Sequence, residues 1–114
     1  MIHGGVVTLF VPVDRDGFDV VYRKFRVKNV DVTSVSKSET QLYVFYDRAK
    51  FFLGLKRVPP FKLREGTYVV LGDTSPEAEE LTLGIPVRGA MRAVSAEHFI
   101  SGSLKVHHTR LILK

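Results

Sequence analysis

Hydrophobic and polar residues alternate along most of the chain with a period of two, which is the spacing of side chains on a β-strand. The segment 5–13 is rich in valine, and the polar residues at 14–17 then predict a turn. In the strand that follows, Val21, Phe25 and Val27 share one face. We expect this face to contribute to the hydrophobic core.

The same strand changes its parity part of the way along. Val30 and Val32 have the opposite parity to Phe25 and Val27, although all four residues are apolar. One extra residue in the strand would keep them all on the core face. The pattern therefore predicts a β-bulge near Asn29.

Later segments give signals of different strength. Residues 40–47 are apolar on both faces, which predicts a strand covered on both sides, and 67–72 is a clear strand. Residues 48–66 fit either a short strand or one helical turn, and 73–80 fit a turn or two of helix or an acidic loop. The segment 85–94 again alternates as a strand does.

The end of the chain predicts a hairpin with a two-residue type II′ turn at 102–103. This turn fixes three cross-strand pairs, namely Ser101 with Leu104, Phe99 with Val106, and His98 with His107. Phe99, Leu104 and Val106 would then share one face of the hairpin, so the turn and the hydrophobic pattern agree. The parity shifts again before the last strand, so a second bulge is expected near His108.

Several short strands with turn signals at intervals of about 8–12 residues indicate a small barrel or sandwich. The 114 residues form one domain, without internal repeats or a linker. A chain of this size has to protect its edge strands. We therefore predict a single all-β domain over 1–114, a closed or nearly closed antiparallel barrel of the OB-fold-like class with at most one short helix.

The amino-acid composition excludes some classes of protein and favours others. The chain is 45% hydrophobic and lacks cysteine, which excludes disulfides and thiolate metal sites. No apolar run is long enough to span a membrane, and the start of the chain does not resemble a signal peptide, so we expect a cytoplasmic protein. A single asparagine and a single glutamine, beside a quarter charged residues, favour a hyperthermophilic and archaeal source.

The formal net charge is +5, and twelve of the seventeen Lys and Arg residues lie between Arg15 and Arg64. A basic chain favours contact with nucleic acid. It equally suits a protein that sits inside a large nucleic-acid machine, and charge alone does not separate the two.

The sequence contains no motif for catalysis or cofactor binding. Phosphate-binding loops, dinucleotide-binding glycines and nucleophile elbows are missing, and the Ser-x-x-Lys spacing at 34–37 falls in a polar turn. His107 and His108 are adjacent on a strand and would point to opposite faces. His98 and His107 could approach each other across the hairpin, but the sequence places no third metal ligand nearby. We expect no catalytic residue, cofactor or metal site.

The remaining candidate is a binding surface. Barrels hold single-stranded nucleic acid with cations and aromatic side chains on one face. The candidate basic and aromatic surface comprises Tyr22, Arg23, Lys24, Arg26, Lys28, Arg88 and Arg92. Tyr43 and Phe45 would extend it if their strand is a neighbour, although we expect both in the core. The alternative is that the alternating cations form only the solvated face of a half-buried sheet.

Four segments together resemble a known family. The segment 11–25 is similar to the family's first hairpin, with Phe18, Asp19, Val21 and Arg23 after a polar turn. The other three are 60–75, 85–95 and 98–114, which are similar to a strand leading into a variable loop, a strand with alternating apolar and basic residues, and a closing hairpin. The chain resembles the small OB-fold subunit, commonly called subunit eight, of archaeal and eukaryotic RNA polymerases.

This resemblance implies a non-catalytic accessory subunit of a DNA-directed RNA polymerase. Such a protein would dock on the largest polymerase subunit and support assembly and stability in transcription. The alternative expectation, from the basic stripe, is a free-standing protein that binds single-stranded nucleic acid.

Overall fold

The computed structural model of the protein describes residues 2–14, 20–72, 80–82 and 90–114. These residues form nine β-strands and one short 3-10 helix, Leu104–Val106. The strands are β1 (Ile2–Asp14), β2 (Val20–Ser36), β3 (Glu39–Phe45), β4 (Lys50–Leu53), β5 (Lys56–Val58), β6 (Tyr68–Leu71), β7 (Glu80–Thr82), β8 (Met91–Phe99) and β9 (His108–Leu113).

Six strands close into an antiparallel barrel in the order β1-β6-β8-β9-β3-β2, because β2 also pairs with β1. The hairpin of β4 and β5 adds to β2, and β7 pairs with the start of β2. The predicted all-β architecture is confirmed, and the closed barrel is consistent with the OB-fold-like class. Closure leaves the six barrel strands without a free edge.

Alternate residues of the barrel strands fill its interior, as the period of two predicts. Val7 and Leu9 of β1, Val27 of β2 and Leu42 and Val44 of β3 are all fully buried. Leucines and valines from the other strands complete this cluster. Each such side chain contributes about 1.5–3 kcal/mol through its removal from water.

The predicted bulge near Asn29 is confirmed. Val6 lies opposite Lys28 and Gly5 lies opposite Val30, so Asn29 is the extra residue of β2. Asn29 has a φ of 61°, a left-handed conformation that asparagine tolerates better than most residues. The bulge returns Val30 to the interior, where it is fully buried.

The segment 48–66 forms strands, not a helical turn. β4 and β5 pair around Gly54 and Leu55, and the chain then crosses towards β6. Phe51 and Leu63 are buried in the core cluster, and Phe61 packs against it. The segment therefore contributes aromatic and aliphatic side chains to the core of the barrel.

The predicted register of the closing hairpin is wrong. Phe99 pairs with His108, not with Val106, and the chain between them contains the 3-10 helix Leu104–Val106. The inward positions 109, 111 and 113 of β9 are all buried, and this core face fixes the register. If β9 continued back to Val106 with strict alternation, Val106 would face outwards, since the inward positions are odd-numbered. The pairing of β8 with β9 instead stops at His108. The expected bulge near His108 is also not found; the register shift lies on β8 between residues 93 and 95.

Tyr43 and Phe45 are not in the barrel core, contrary to expectation. Leu42 and Val44 occupy the inward positions of β3, so their neighbours face outwards and are only partly buried. Phe45 stacks on His108 with ring centroids 4.6 Å apart. The outward face of β3, which was predicted to be covered, is therefore only partly buried.

Several sequence-based expectations lie outside the described residues. These are the helix or acidic loop in 73–79, the strand positions 85–89 with Arg88, and Phe18 in the first turn. Within the described ranges, no helix has the length and apolar character that a membrane span requires.

Candidate functional site

The predicted stripe lies on the outer face of β2. Its core-facing neighbours are Phe25, which packs against the core, and Val27, which is fully buried. The stripe residues take the alternate positions and are all partly exposed: Tyr22, Lys24, Arg26 and Lys28. Arg23 has the parity of Phe25, so it is not part of this face, and its backbone lies opposite Val11 of β1 and residue 80 of β7.

Cross-strand pairing extends the stripe as far as β8. Lys24 lies opposite Phe10 of β1, Phe10 opposite Tyr68 of β6, and Tyr68 opposite Arg92 of β8. Adjacent strands lie about 4.8 Å apart, so Lys24 and Arg92 end a row about 14 Å wide. The structure therefore places Arg92 on the predicted face, with two aromatic residues between the cations.

Phe52 is a member of this surface that the sequence did not reveal. Its backbone lies opposite Arg26 in the ladder of β2 and β4. The guanidinium carbon of Arg26 lies 5.0 Å from the centroid of the Phe52 ring, and Nζ of Lys28 lies 5.4 Å from it. Both distances are in the range of a cation–π contact. The Phe51-Phe52 pair was a signal in retrospect, since adjacent strand residues face opposite sides.

Tyr22 and Tyr68 meet edge to face on the same surface, with ring centroids 5.5 Å apart and planes at 70°. Phe10, which lies beside them, is fully buried although it is not in the barrel core. These contacts hold the aromatic residues in fixed positions. The outer face of β6, β1 and β2 thus combines cations with ordered aromatic rings.

A second surface surrounds the connection between β8 and β9, and no pattern in the sequence indicated it. Phe99, Ile100, Leu104 and Val106 are 40%, 73%, 74% and 49% exposed. Three of them, Phe99, Leu104 and Val106, were expected to share one face of a hairpin, in the register that proved wrong. We call these four residues the apolar cluster. Such concentrations of exposed apolar side chains mark interaction sites more often than isolated ones do.

Two open depressions adjoin the apolar cluster. One, of about 390 Å³, is lined by Tyr46, Pro60, Phe61, Lys62, His98 and Ile100. The other, of about 370 Å³, is lined by Tyr46, Asp47, Ile100, Leu104 and His107. The two depressions share Tyr46 and Ile100 in their linings, and we refer to them together as the connection groove.

A polar network fixes the floor of the connection groove. The hydroxyl groups of Tyr46 and Thr109 are 2.6 Å apart, and Nδ1 of His98 lies 2.8 Å from the Thr109 oxygen. Thr109 is fully buried, so its hydroxyl is not accessible to a substrate. The Tyr46 ring stacks on Phe51 of the core, with centroids 6.2 Å apart. These contacts hold the Tyr46 ring against the core of the barrel.

The other histidines are engaged locally. Nε2 of His107 lies 3.2 Å from the carbonyl oxygen of Gly102, and Nδ1 of His108 lies 2.8 Å from that of Val106. Among the described residues, no three His, Asp or Glu side chains are grouped closely enough to bind a metal ion.

The aromatic rings on the outer face of β3, β9 and β8 stack on one another. His108 lies between Phe45 and Phe99, with centroid distances of 4.6 and 4.5 Å. Arg48 covers the Phe45 ring, and Arg110, which pairs with Glu97, lies beside Phe99. Hydrogen bonds to Glu97 and then to Tyr43 raise the pKa of Arg110 above its ordinary value. These ring faces are covered and do not form an open stacking platform.

Comparisons of the chain with models of protein families, with curated protein sequences and with solved structures gave no match.

Proposed function

We propose that this protein is a non-catalytic accessory subunit of a DNA-directed RNA polymerase. It docks on the largest subunit and contributes to assembly and stability in transcription. The proposal places it in the cytoplasm of a hyperthermophilic archaeon. The ordered resemblance of four segments supports this proposal, and the closed barrel is consistent with the OB fold that the resemblance implies.

The observation that favours a docked protein most strongly is the apolar cluster. It concentrates four exposed apolar residues in one short connection, and two of them line the groove, which is unfavourable for a protein that remains alone in water. Contact with a partner would remove them from water and stabilise the complex by about 25 cal/mol for each Å² of apolar surface buried. A docked subunit therefore accounts for a surface that the barrel does not need.

Purification of the polymerase through a tag on its largest subunit tests the proposal. We expect this chain to co-purify in a stoichiometric amount. Ile100→Asp and Leu104→Asp should abolish co-purification, whereas Leu55→Asp should not, because Leu55 is 94% exposed at the β4–β5 turn, outside the cluster. Recovery of a polymerase that contains its other subunits but lacks the wild-type chain would contradict the proposal.

The second candidate function is binding of single-stranded nucleic acid by a free-standing protein. It is favoured by one observation, the contact of Arg26 and Lys28 with Phe52 on the outer face of β2. Cations that follow a backbone and rings on which bases stack are the usual elements of such sites. Lys24 and Arg92 would extend the path across the sheet.

Fluorescence anisotropy with a labelled oligothymidylate tests this second function. Each phosphate contact on a single strand contributes about 0.7 to the slope of log K against log salt. Changing Lys24, Arg26 and Lys28 to alanine should therefore reduce the magnitude of this negative slope by about 2. The control changes Lys37, Lys105 and Lys114 to alanine, which removes the same charge away from the stripe. An equal loss of affinity in both triple variants would mean that general charge attraction explains the binding, and it would contradict a specific site on the stripe.

A further inference from the structure

The connection groove has an apolar floor that is fixed before any partner arrives. Tyr46 is held by its hydrogen bond to Thr109, and Phe61 packs against Phe51 with ring centroids 5.0 Å apart. Ile100 and Leu104 form the exposed rim. A groove held in this way loses little conformational entropy when a partner binds.

Cations surround this apolar floor. Lys62 lines the groove itself, and Lys105 and Arg48 line a smaller depression that continues from Asp47. A fourth depression beside Tyr46 adds further cations, Lys50 and Arg57. Among the described residues that line these depressions, Asp47 supplies the one carboxylate. Arg48 is partly neutralised by its ion pair with Asp31.

We infer that the connection groove binds an extended, acidic segment of a partner protein that carries apolar side chains at intervals. The apolar side chains would lie between Tyr46 and Ile100, and the carboxylates would approach Lys62 and Lys105. Complementary charge is the reason for choosing an acidic partner. The inference deepens the proposed function and rests on it for the existence of a protein partner.

Two other occupants fit less well. A second copy of the chain would bring the same cations together, and each copy has a net charge of +5. Nucleic acid needs open ring faces for stacking, but the Tyr46 ring packs on Phe51 and the rim residues are aliphatic. The combination of aliphatic rim and surrounding cations therefore favours an acidic polypeptide.

Binding of designed peptides to the full-length protein tests the inference. The first probe is a fluorescein-labelled peptide of about twelve residues in which Glu alternates with Leu, long enough to occupy a groove in extended form. One control peptide has Lys in place of Glu, and another has Ser in place of Leu. We expect the acidic apolar peptide to bind, and each control to bind at least about tenfold more weakly, a loss of about 1.4 kcal/mol. Equal binding of all three peptides would overturn the inference.

Matched charge reversals locate the peptide. Lys62→Glu with Lys105→Glu should weaken binding at least about tenfold at low salt. The control is Lys37→Glu with Lys114→Glu, which reverses two charges beyond the far end of the β3–β9 ladder, about 17 Å away along the strand. Similar losses in the two double variants would mean general attraction to a basic protein and would overturn the site. Displacement of the peptide by oligothymidylate would also overturn the inference. So would a dimer, observed by sedimentation, that Leu104→Asp converts to a monomer.

The outcome also separates this inference from the proposed function. Peptide binding at the groove by a protein that does not co-purify with polymerase would refute the proposed function and retain the site. Co-purification that Lys62→Glu, Lys105→Glu and Leu104→Ser leave unchanged, together with no peptide binding, would refute the site and retain the function.

Discussion

Phe99 of β8 and His108 of β9 lie directly opposite each other, and their rings stack with centroids 4.5 Å apart and planes 14° apart. This pairing ends the ladder of the two strands. The residues between them leave the sheet and expose the apolar cluster. The position of one cross-strand pair thus determines whether this surface exists.

A double-mutant cycle tests the pairing. We expect the alanine variants of Phe99 and His108 to show a coupling energy of about 0.5–1.5 kcal/mol, the range for contacting aromatic rings. The measurement is the free energy of unfolding by denaturant. The control cycle joins Phe99 with Val106, its partner in the register predicted from sequence. Coupling in the control cycle and none in the first would contradict the observed register.

The buried hydroxyl of Thr109 should stabilise the protein through its two partners, Tyr46 and His98. Thr109→Val keeps the shape but removes the hydrogen bonds to Tyr46, which is partly buried, and to His98, which is exposed, so we expect a loss of about 0.5–1.5 kcal/mol. Thr67 is the matched control, because it is fully buried and its hydroxyl has no hydrogen-bond partner among the described residues. Thr67→Val should be neutral or stabilising in the same denaturation experiment. If the two variants lose equal stability, the network does not stabilise the protein.

At the bulge position Asn29, replacement by glycine should lower the free energy of unfolding less than replacement by alanine does. Both variants lose the hydrogen bond from Nδ2 of Asn29 to the carbonyl oxygen of Arg48, 3.3 Å away. Only alanine meets the steric cost of a φ of 61°, which is about 1–2 kcal/mol. We therefore expect Asn29→Ala to unfold more easily than Asn29→Gly by about that difference. Equal stabilities would show that the bulge does not need a left-handed residue.

Phe51 should be among the costliest positions to truncate, since it belongs to the core cluster and is 1% exposed. We expect Phe51→Ala to lower the free energy of unfolding by about 3–5 kcal/mol. Leu55→Ala in the turn of the same hairpin should change it by less than about 0.5 kcal/mol. A small effect of Phe51→Ala, measured by thermal or denaturant unfolding, would mean that the hairpin does not belong to the core.

The alternation of residues determined the barrel class and the outward stripe. The side chains of a strand alternate with a period of two, so Val27 and Lys28 had to face opposite sides wherever the strand was placed. The parity change also predicted the bulge at Asn29 for the same local reason. These features depend on neighbours along the chain, and such neighbours can be read from sequence.

Contacts between strands that are distant in sequence were decided only by the tertiary structure. The pairing of β2 with β4 brought Phe52 to Arg26, and no local pattern specifies that partner. The core face of β9 fixed the register that overruled the turn predicted at 102–103, because burying the leucines at 111 and 113 gains more than a tight turn does. For that reason sequence indicated the stripe, and only the closed barrel revealed the connection groove.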